Sequence, residues 1–391
     1  MLNKCNFPQI RALQNKVLKS QFVIGLDLHK RTTAIVVFEN TAIDPKIIFQ
    51  RKRLANADLL HTIEKFNGEK IVIAEAAFGW RMLEQAFQSI PSVTLIPVDA
   101  RKTSAWAKMS GIKTDKVDAQ ILAYSCLQGG VPRLAVYKPN IYSQENFKLV
   151  NFRDLLVKQR TQIKNKLKNM NMEYGVNPYS LIQTVKSDLV KNIENLLLEQ
   201  LQFFNEKIQT IESNMEEIAK TDPLVSLLRN IPGIGPITAF ALRAKVDDIS
   251  RFENKRHFAS YFGLGIREHQ SGNHFQKGCI TKTGNRLIRK LLVQGAHVIK
   301  SHHPEYIHLY FPDLARRYPD LKKCPKLIIA VARKTLTFAY YSLTKKTPFS
   351  IKDYEKNRIQ QSLMKKSDKK EDQIHVNNCP KAAELGSMVV S

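Results

Sequence analysis

Four acidic residues carry the first chemical hint in this chain. Asp27 follows the apolar run Val23-Ile24-Gly25-Leu26, and Glu75 follows Ile71-Val72-Ile73-Ala74. Asp115 and Asp118 lie together in Lys113-Thr114-Asp115-Lys116-Val117-Asp118-Ala119. Acids at the ends of apolar strands are costly to desolvate unless something compensates them. A divalent cation with hard oxygen ligands, Mg²⁺ or Mn²⁺, is the natural compensation, and such a site suits phosphodiester chemistry. Positions three apart on a helix share a face, so Asp115 and Asp118 would point the same way. Each acid alone also fits a plainer role. Asp27 could sit in a turn or in solvent, and the Asp115/Asp118 pair could be a helix cap with a first-turn acid.

A second candidate is a serine in basic surroundings. Ser271 lies in Arg267-Glu268-His269-Gln270-Ser271-Gly272, followed by Lys277 and by Thr281-Lys282-Thr283-Gly284-Asn285. A helix is expected from about 285 to 299, with Arg286, Arg289 and Lys290 clustered off its apolar stripe. A serine hydroxyl is a poor nucleophile until it is deprotonated and the charge of its phosphate target is neutralised. The neighbouring cations suit the second task. Ser-Gly in a loop is equally an ordinary turn. Upstream, Ile231-Pro232-Gly233-Ile234-Gly235-Pro236 resembles the turn of a helix-hairpin-helix. Gly233 and Gly235 would allow a tight turn, and amides at the start of the next helix would face a phosphate. A bland helix connector is the alternative. The histidines at 269, 297, 302, 303 and 308 match no common zinc spacing and read as surface or phosphate-contacting residues.

The elements that must position these residues follow from periodicity. Residues 22–38 read as a β-hairpin, 56–67 as a helix, 70–74 and 93–98 as strands, with helices near 79–88 and 115–127. Strands alternating with helices imply an α/β domain over 22–135, and its acids in this order make a ribonuclease-H-like arrangement. Residues 136–220 are helical. Leu201, Phe204, Ile208, Ile211, Met215 and Ile218 follow a heptad seam, extended backward by Val190, Ile193 and Leu197. That seam suits a coiled coil and a homo-oligomer, or else packing within the chain. Gly175 and Pro178 separate it from a basic helix at about 147–172. Residues 221–350 read as a mostly helical domain containing Ser271. Residues 1–21 form a basic extension, and the Lys-rich tail 351–391 reads as disordered.

Charge supports this division. The chain has 391 residues with 61 Lys+Arg against 35 Asp+Glu, a formal net charge of +26. Residues 22–135 carry only +4, 219–350 carry +15, and the heptad segment 188–218 carries −5. A surplus concentrated in one domain points to nucleic acid. No apolar run is long enough to span a membrane, no secretory signal is evident, and the five scattered cysteines suit a reducing cytoplasm.

These motifs together resemble the DEDD transposases of the "IS one-ten" insertion-sequence family, relatives of the Piv DNA invertases. The resemblance covers about 22–345. It rests on Gly25-Leu26-Asp27-Leu28-His29-Lys30, Ala74-Glu75-Ala76-Ala77-Phe78-Gly79, the Asp115–Asp118 segment, Ile231-Pro232-Gly233-Ile234-Gly235, Gln270-Ser271-Gly272 and Ile280–Arg289. It implies a RuvC-like domain whose tetrad is Asp27, Glu75, Asp115 and Asp118, binding Mg²⁺. It also implies a C-terminal transposase domain with Ser271 as nucleophile, a covalent phosphoserine link to cleaved DNA, and sites completed between subunits of a dimer or tetramer. A guide RNA encoded by the element is a further implication, as is a bacterial or archaeal cytoplasm with association to the nucleoid. The sequence departs from the family pattern at Ala77, Ile266 and Gln270, where a small polar residue, Pro and Ser are frequent. The leading expectation is a transposase and site-specific DNA recombinase. The alternatives are a RuvC-like structure-specific endonuclease without serine chemistry and a non-catalytic nucleic-acid-binding protein.

Overall fold

A computed structural model describes residues 8–41, 44–76, 79–104, 115–174, 186–271, 274–311, 325–354 and 356, with backbone alone at 8–11, 115–116, 268–271, 274–277 and 325–326. The chain divides into two compact units, 1–145 with 244–258 and 146–243 with 259–391. The boundary expected at 135/136 thus falls inside the first unit, and 244–258 joins it from far along the chain.

The first unit is built on a five-stranded sheet. Its strands are β1 (Phe22–Leu28), β2 (Thr32–Glu39), β3 (Lys46–Ala55), β4 (Lys70–Glu75) and β5 (Val93–Val98), in the order β3-β2-β1-β4-β5. β1 pairs antiparallel with β2, and β2 with β3, while β4 and β5 run parallel to β1. Both faces are covered, so the central strands read as continuous apolar runs. On one face Val23, Val36, Ile73 and Ile96 pack with Val17 of α1 (Pro8–Lys19) and with Ala119, Leu122 and Ala123 of α4 (Asp115–Ser125). On the other, Ile24, Leu26, Val72 and Leu95 pack with Leu59 and Ile63 of α2 (Leu59–Glu64) and Trp80 and Leu83 of α3 (Trp80–Ala86).

Sequence reasoning missed β3. Its burial is confined mainly to Leu54, with Lys46, Arg51, Lys52 and Arg53 exposed, as suits an edge strand guarded by charge. The basic extension is likewise more ordered than a lead-in. Helix α1 buries Val17, and Gln14 donates to the Cys126 carbonyl at 3.1 Å and accepts from the Val131 amide at 3.1 Å. Val131 begins the short helix α5 (Val131–Leu134). Asn40 caps the end of α1 by donating to the carbonyls of Val17 and Ser20 at 3.0 and 2.9 Å.

Residues 244–258 are held in the first unit by a carboxylate. Asp247, with φ 57°, accepts from the Tyr137 hydroxyl at 2.8 Å, the Asn140 amide nitrogen at 2.9 Å, the Asn140 side chain at 2.6 Å and the Ser143 hydroxyl at 2.8 Å. The buried Arg251 guanidinium lies 4.3 Å from the Tyr137 ring centroid and 4.4 Å from that of Phe252. Burial first, and then the Asp247 carboxylate, push the Tyr137 hydroxyl pKa upward.

Among the described residues the second unit is helical apart from one hairpin. Two long helices, α6 (Ile141–Glu173) and α7 (Asp188–Thr221), run antiparallel. Their contacts pair Arg153 with Glu212 at 2.6 Å, Arg160 with Asn205 at 3.3 Å, and Lys186 with Asn171 at 2.8 Å. At 33 and 34 residues, each spans about 50 Å at 1.5 Å per residue. The heptad residues Ile208, Ile211 and Met215 are buried, while Leu201 and Phe204 are half-buried. The breakers Gly175 and Pro178 lie outside the described residues. Along the chain next come α8 (Pro223–Arg229), α9 (Pro236–Val246) and α10 (Lys255–Tyr261), of which 244–246 and 255–258 are counted in the first unit, the hairpin β6 (Ile266–Ser271) and β7 (His274–Ile280), then α11 (Arg286–His302), α12 (Pro304–Tyr310) and α13 (Pro325–Lys345). Asp222 caps α8 by accepting from the Leu224 amide, and Asn285 caps α11 by accepting from Ile288. The tail expected to be disordered from 351 begins with a helical turn at 351–354, where the Tyr354 ring meets Tyr310 and Phe338 at 5.7 and 5.2 Å. Residues 357–391 lie outside the described residues.

Gly25 fixes the spacing between sheet and helix in the first unit. A Cβ at this position would lie 1.9 Å from the Ala119 carbonyl oxygen of α4. Neither backbone can yield cheaply, so Gly25→Ala should destabilise the chain by about 2–3 kcal/mol through overpacking. Thermal denaturation of the variant checks this; an unchanged midpoint would show that α4 is free to shift.

Candidate active site

The first group of acids gathers where β1 and β4 end. The parallel register pairs Leu26 with Ala74 at the last position recorded. Asp27 and Glu75 are the next residue of each strand, so they stand beside one another, with backbones about 4.8 Å apart in a standard ladder. Side chains alternate along a strand, so Asp27 shares the face of Gly25, and Glu75 that of Ile73. Both belong to the face covered by α4. The helix meets that face through Ala119, Leu122, Ala123 and Cys126, a stripe at i, i+3, i+4 and i+7. Asp118 continues the stripe toward the helix start, and Asp115 is the first residue of the helix. The end of α4 lies beside Gln14, just ahead of β1, so its start lies toward the far end of β1, where Asp27 is.

Two of these acids have defined neighbours. The Thr103 hydroxyl donates to Glu75 Oε1 at 2.6 Å, and Thr103 is itself buried. Asp27 Oδ2 lies 3.5 Å from His29 Nε2. Neither contact was foreseen from the sequence; Thr103 follows the next strand, and spacing gives no signal for it. After β5, Asp99 accepts from Arg101 Nε and Nη2 at 3.1 and 2.9 Å. The hydrogen bond from the Arg101 side chain holds the Asp99 carboxyl below the usual carboxylate range, against the effect of burial. Asp118 is half-buried, and the Asp115 side chain lies outside the described residues. Among the described residues, no three His, Cys, Asp or Glu side chains converge closely enough to hold a metal ion.

The serine and the cations belong to the second unit. Ser271 ends β6 and pairs across the hairpin with His274; its side chain and that of Lys277 lie outside the described residues. The expected serine loop is therefore the tip of a β-hairpin. The segment after β7 is held close to the 260–265 turn. Thr281 donates its amide to the Gly265 carbonyl at 2.8 Å, and Lys282, with φ 56°, to the Gly263 carbonyl at 3.1 Å. Arg267 donates to the Thr281 carbonyl at 3.3 Å.

The four remaining cations differ in availability. Lys282 and Arg286 are exposed and form no ion pair among the described residues. Arg289 donates to the carbonyls of Phe262 and Gly284 at 3.3 and 3.4 Å, which makes it a brace as well as a charge. Lys290 is paired with Asp154. Burial alone would raise the Asp154 carboxyl, but Lys158 and Lys290 outweigh it and hold its pKa below the usual range.

The 231–235 turn is set by glycine against glycine. Gly233, at φ 81°, lies so close to α11 that a Cβ on Gly295 would meet the Gly233 carbonyl oxygen at 2.0 Å. Gly235, by contrast, is exposed, and a Cβ there would meet nothing within 4 Å. The turn is therefore anchored on one side and open on the other, at the start of α9.

Comparison with known proteins agrees with this layout. A family model described as "Transposase IS116/IS110/IS902 family" matches residues 225–311, and a DEDD model of the IS110 type described as "Transposase" matches residues 24–174. The chain is 26% identical over 305 residues to the transposase for insertion sequence element IS1111A of Coxiella burnetii, covering 74% of this chain and 80% of the relative. It is 30% identical over 350 residues to the pilin gene-inverting protein of Moraxella bovis, covering 86% of this chain and 100% of the relative. The protein of the same name from Moraxella lacunata is 27% identical over 350 residues, covering 86% of this chain and 100% of the relative. With the acid-bearing sheet inside one match and most of the basic helical unit's turn and serine hairpin inside the other, the chain belongs to the IS110 family of transposases.

Proposed function

We propose that this transposase excises and inserts its element by pairing a metal-dependent acidic site with a serine nucleophile. The observation that carries the reading is the placement of Asp27 and Glu75 side by side at the ends of β1 and β4, on the face covered by the helix bearing Asp118 and Asp115. The order β3-β2-β1-β4-β5, with three antiparallel strands followed by two parallel ones, supports a RuvC-like, ribonuclease-H-like domain. An all-oxygen donor set of this kind suits Mg²⁺ or Mn²⁺. Asp27, Glu75, Asp115 and Asp118 would hold it, and it would supply charge stabilisation at a phosphodiester. Thr103, by donating to Glu75, fixes one rotamer of that carboxylate and leaves its other oxygen for the site.

Ser271 would attack the phosphorus; the Oγ–P bond would form as the bond from phosphorus to the DNA 3′ or 5′ oxygen breaks, and the serine proton would pass through water to that departing oxygen. Lys282 and Arg286 would contact DNA phosphates near the hairpin. A guide RNA is consistent with the basic charge of residues 219–350. The outward side of α7 favours a homo-oligomer. Leu189, Ile193, Leu196 and Phe203 recur on it at steps of four, three and seven residues and are 71%, 45%, 59% and 52% exposed. A second helix hairpin would cover that stripe. No helix among the described residues is long and apolar enough to cross a membrane.

Ser271→Ala should abolish strand exchange and the protein–DNA adduct seen on denaturing gels, while Asp118→Ala should abolish cleavage in Mg²⁺. An S271A protein that recombines normally would remove the serine and leave a RuvC-like nuclease. DNA affinity should fall steeply with salt, and Arg286→Ala should reduce the log–log slope by about one. Lys290→Ala should leave that slope unchanged, because Asp154 already neutralises it. Finally, Leu196→Glu should shift the protein to a smaller species in light scattering; an unchanged mass would place the oligomer contact elsewhere.

A further inference from the structure

The groove beside the 231–235 turn has features that a phosphate contact alone does not need. Its volume is about 540 Å³, within the range of about 300–1,000 Å³ typical of small-ligand sites. Its floor is apolar, formed by Leu291, Gly295 and the 51% exposed Val298 of α11. The Tyr306 ring lines it. That ring is held from behind by Tyr310, stacked at 5.8 Å with planes 14° apart, and Tyr310 is only 5% exposed. The side-chain amides of Gln294 and Asn230 lie on its border.

A polar end completes the groove. Thr238 lines it, is 7% exposed, and its hydroxyl makes no hydrogen bond among the described residues. A hydroxyl lining the groove can both donate to and accept from a ligand group. Thr238 lies in the first turn of α9, an 11-residue helix whose leading amides have no partner within the helix. The charge at the mouth is largely cancelled. Arg229 is paired with Glu216, and the Glu216 carboxyl is held below its usual pKa mainly by that hydrogen bond. His303 lies 3.1 Å from Glu305. A groove with an aromatic wall, an apolar floor, amide edges, one helix start and little free charge suits one nucleotide better than a run of phosphates.

We propose that this groove binds a single unstacked nucleotide of single-stranded nucleic acid. The base lies against Tyr306 and Val298 with its edge toward Gln294, and its phosphate accepts from Thr238 and the first amides of α9. The proposal rests on the reading that the chain acts on nucleic acid, and it adds a base-reading pocket outside the acidic site and the serine.

The test uses the full chain and fluorescent oligomers of equal length: homothymidine DNA, homouridine RNA, and a fully abasic strand with the same phosphates. Anisotropy should show the base-bearing strands bound about tenfold more tightly than the abasic one, the size of a single base stack. That ratio should change little with salt, because the phosphate number is matched. Gln294→Ala, at an exposed position that does not support the fold, and Tyr306→Leu should each bring the ratio toward one. Thr238→Val should weaken all three strands by a similar few-fold factor. Equal preference for thymidine and uridine supports a site for the shared base-and-phosphate unit, and a stronger uridine arm assigns its occupant to RNA. Equal binding of base-bearing and abasic strands by the unmodified chain overturns the pocket alone, as does a base preference kept in both Q294A and Y306L. Failure to bind any strand overturns the pocket together with the nucleic-acid reading.

Discussion

The close approach of α4 to β1 at Gly25 decides where the acids of the first unit stand. With no side chain at 25, the Ala119 carbonyl reaches the strand backbone. Asp118 is the residue immediately before Ala119, and Asp27 lies two positions beyond Gly25 on the same side of the strand. The contact therefore fixes the height of a helix acid over a strand acid through backbone atoms, which move less than side chains. Small residues maintain it along the helix, since both Ala119 and Ala123 are fully buried. The proposed site would gain from being set this way, because misplacement of reacting groups by about 1 Å can cost about a hundredfold in rate.

The same economy recurs in the second unit. Gly233 and Gly295 bring the turn before α9 onto α11 without any intervening side chain. That leaves Gly235 and the helix start open to solvent. Backbone anchoring on one side is what lets the other side present amides in a fixed direction. The exposed cations of α11 then stand on a helix whose position is tied to the turn, so the basic surface and the turn form one rigid platform. The Asp154–Lys290 pair works within the same unit, tying α6 to α11 while removing one charge from the surface.

What was legible in the sequence was local. The β1–β2 hairpin, the strands ending at Glu75 and Val98, the helix starting at Asp115 and the heptad residues of α7 each carry their own periodicity, and each formed close to its expected place. Strand β3 was not legible, because Lys46, Arg51, Lys52 and Arg53 mask the alternation on an edge that buries little. The candidate acids were legible only as residue types in order. The Thr103–Glu75 bond was not, since its two members are 28 positions apart and neither is unusual alone. The assignment of 244–258 to the first unit was hidden for a deeper reason. It depends on Asp247 satisfying three residues near position 140, a contact across more than a hundred positions with no repeat or motif to announce it.

That contact also explains a residue that would otherwise look strained. Asp247 has a positive φ, which costs a non-glycine residue about 1–2 kcal/mol. Four hydrogen bonds to one carboxylate, each charge-assisted, outweigh that cost. Asparagine would tolerate the same backbone but lose half of its acceptor capacity to an amide, leaving a buried hydroxyl or amide donor unmatched. Glycine would relieve the backbone and lose every bond. Aspartate is therefore the residue that satisfies both demands at once, and the Arg251 guanidinium on the Tyr137 ring packs into the same cluster.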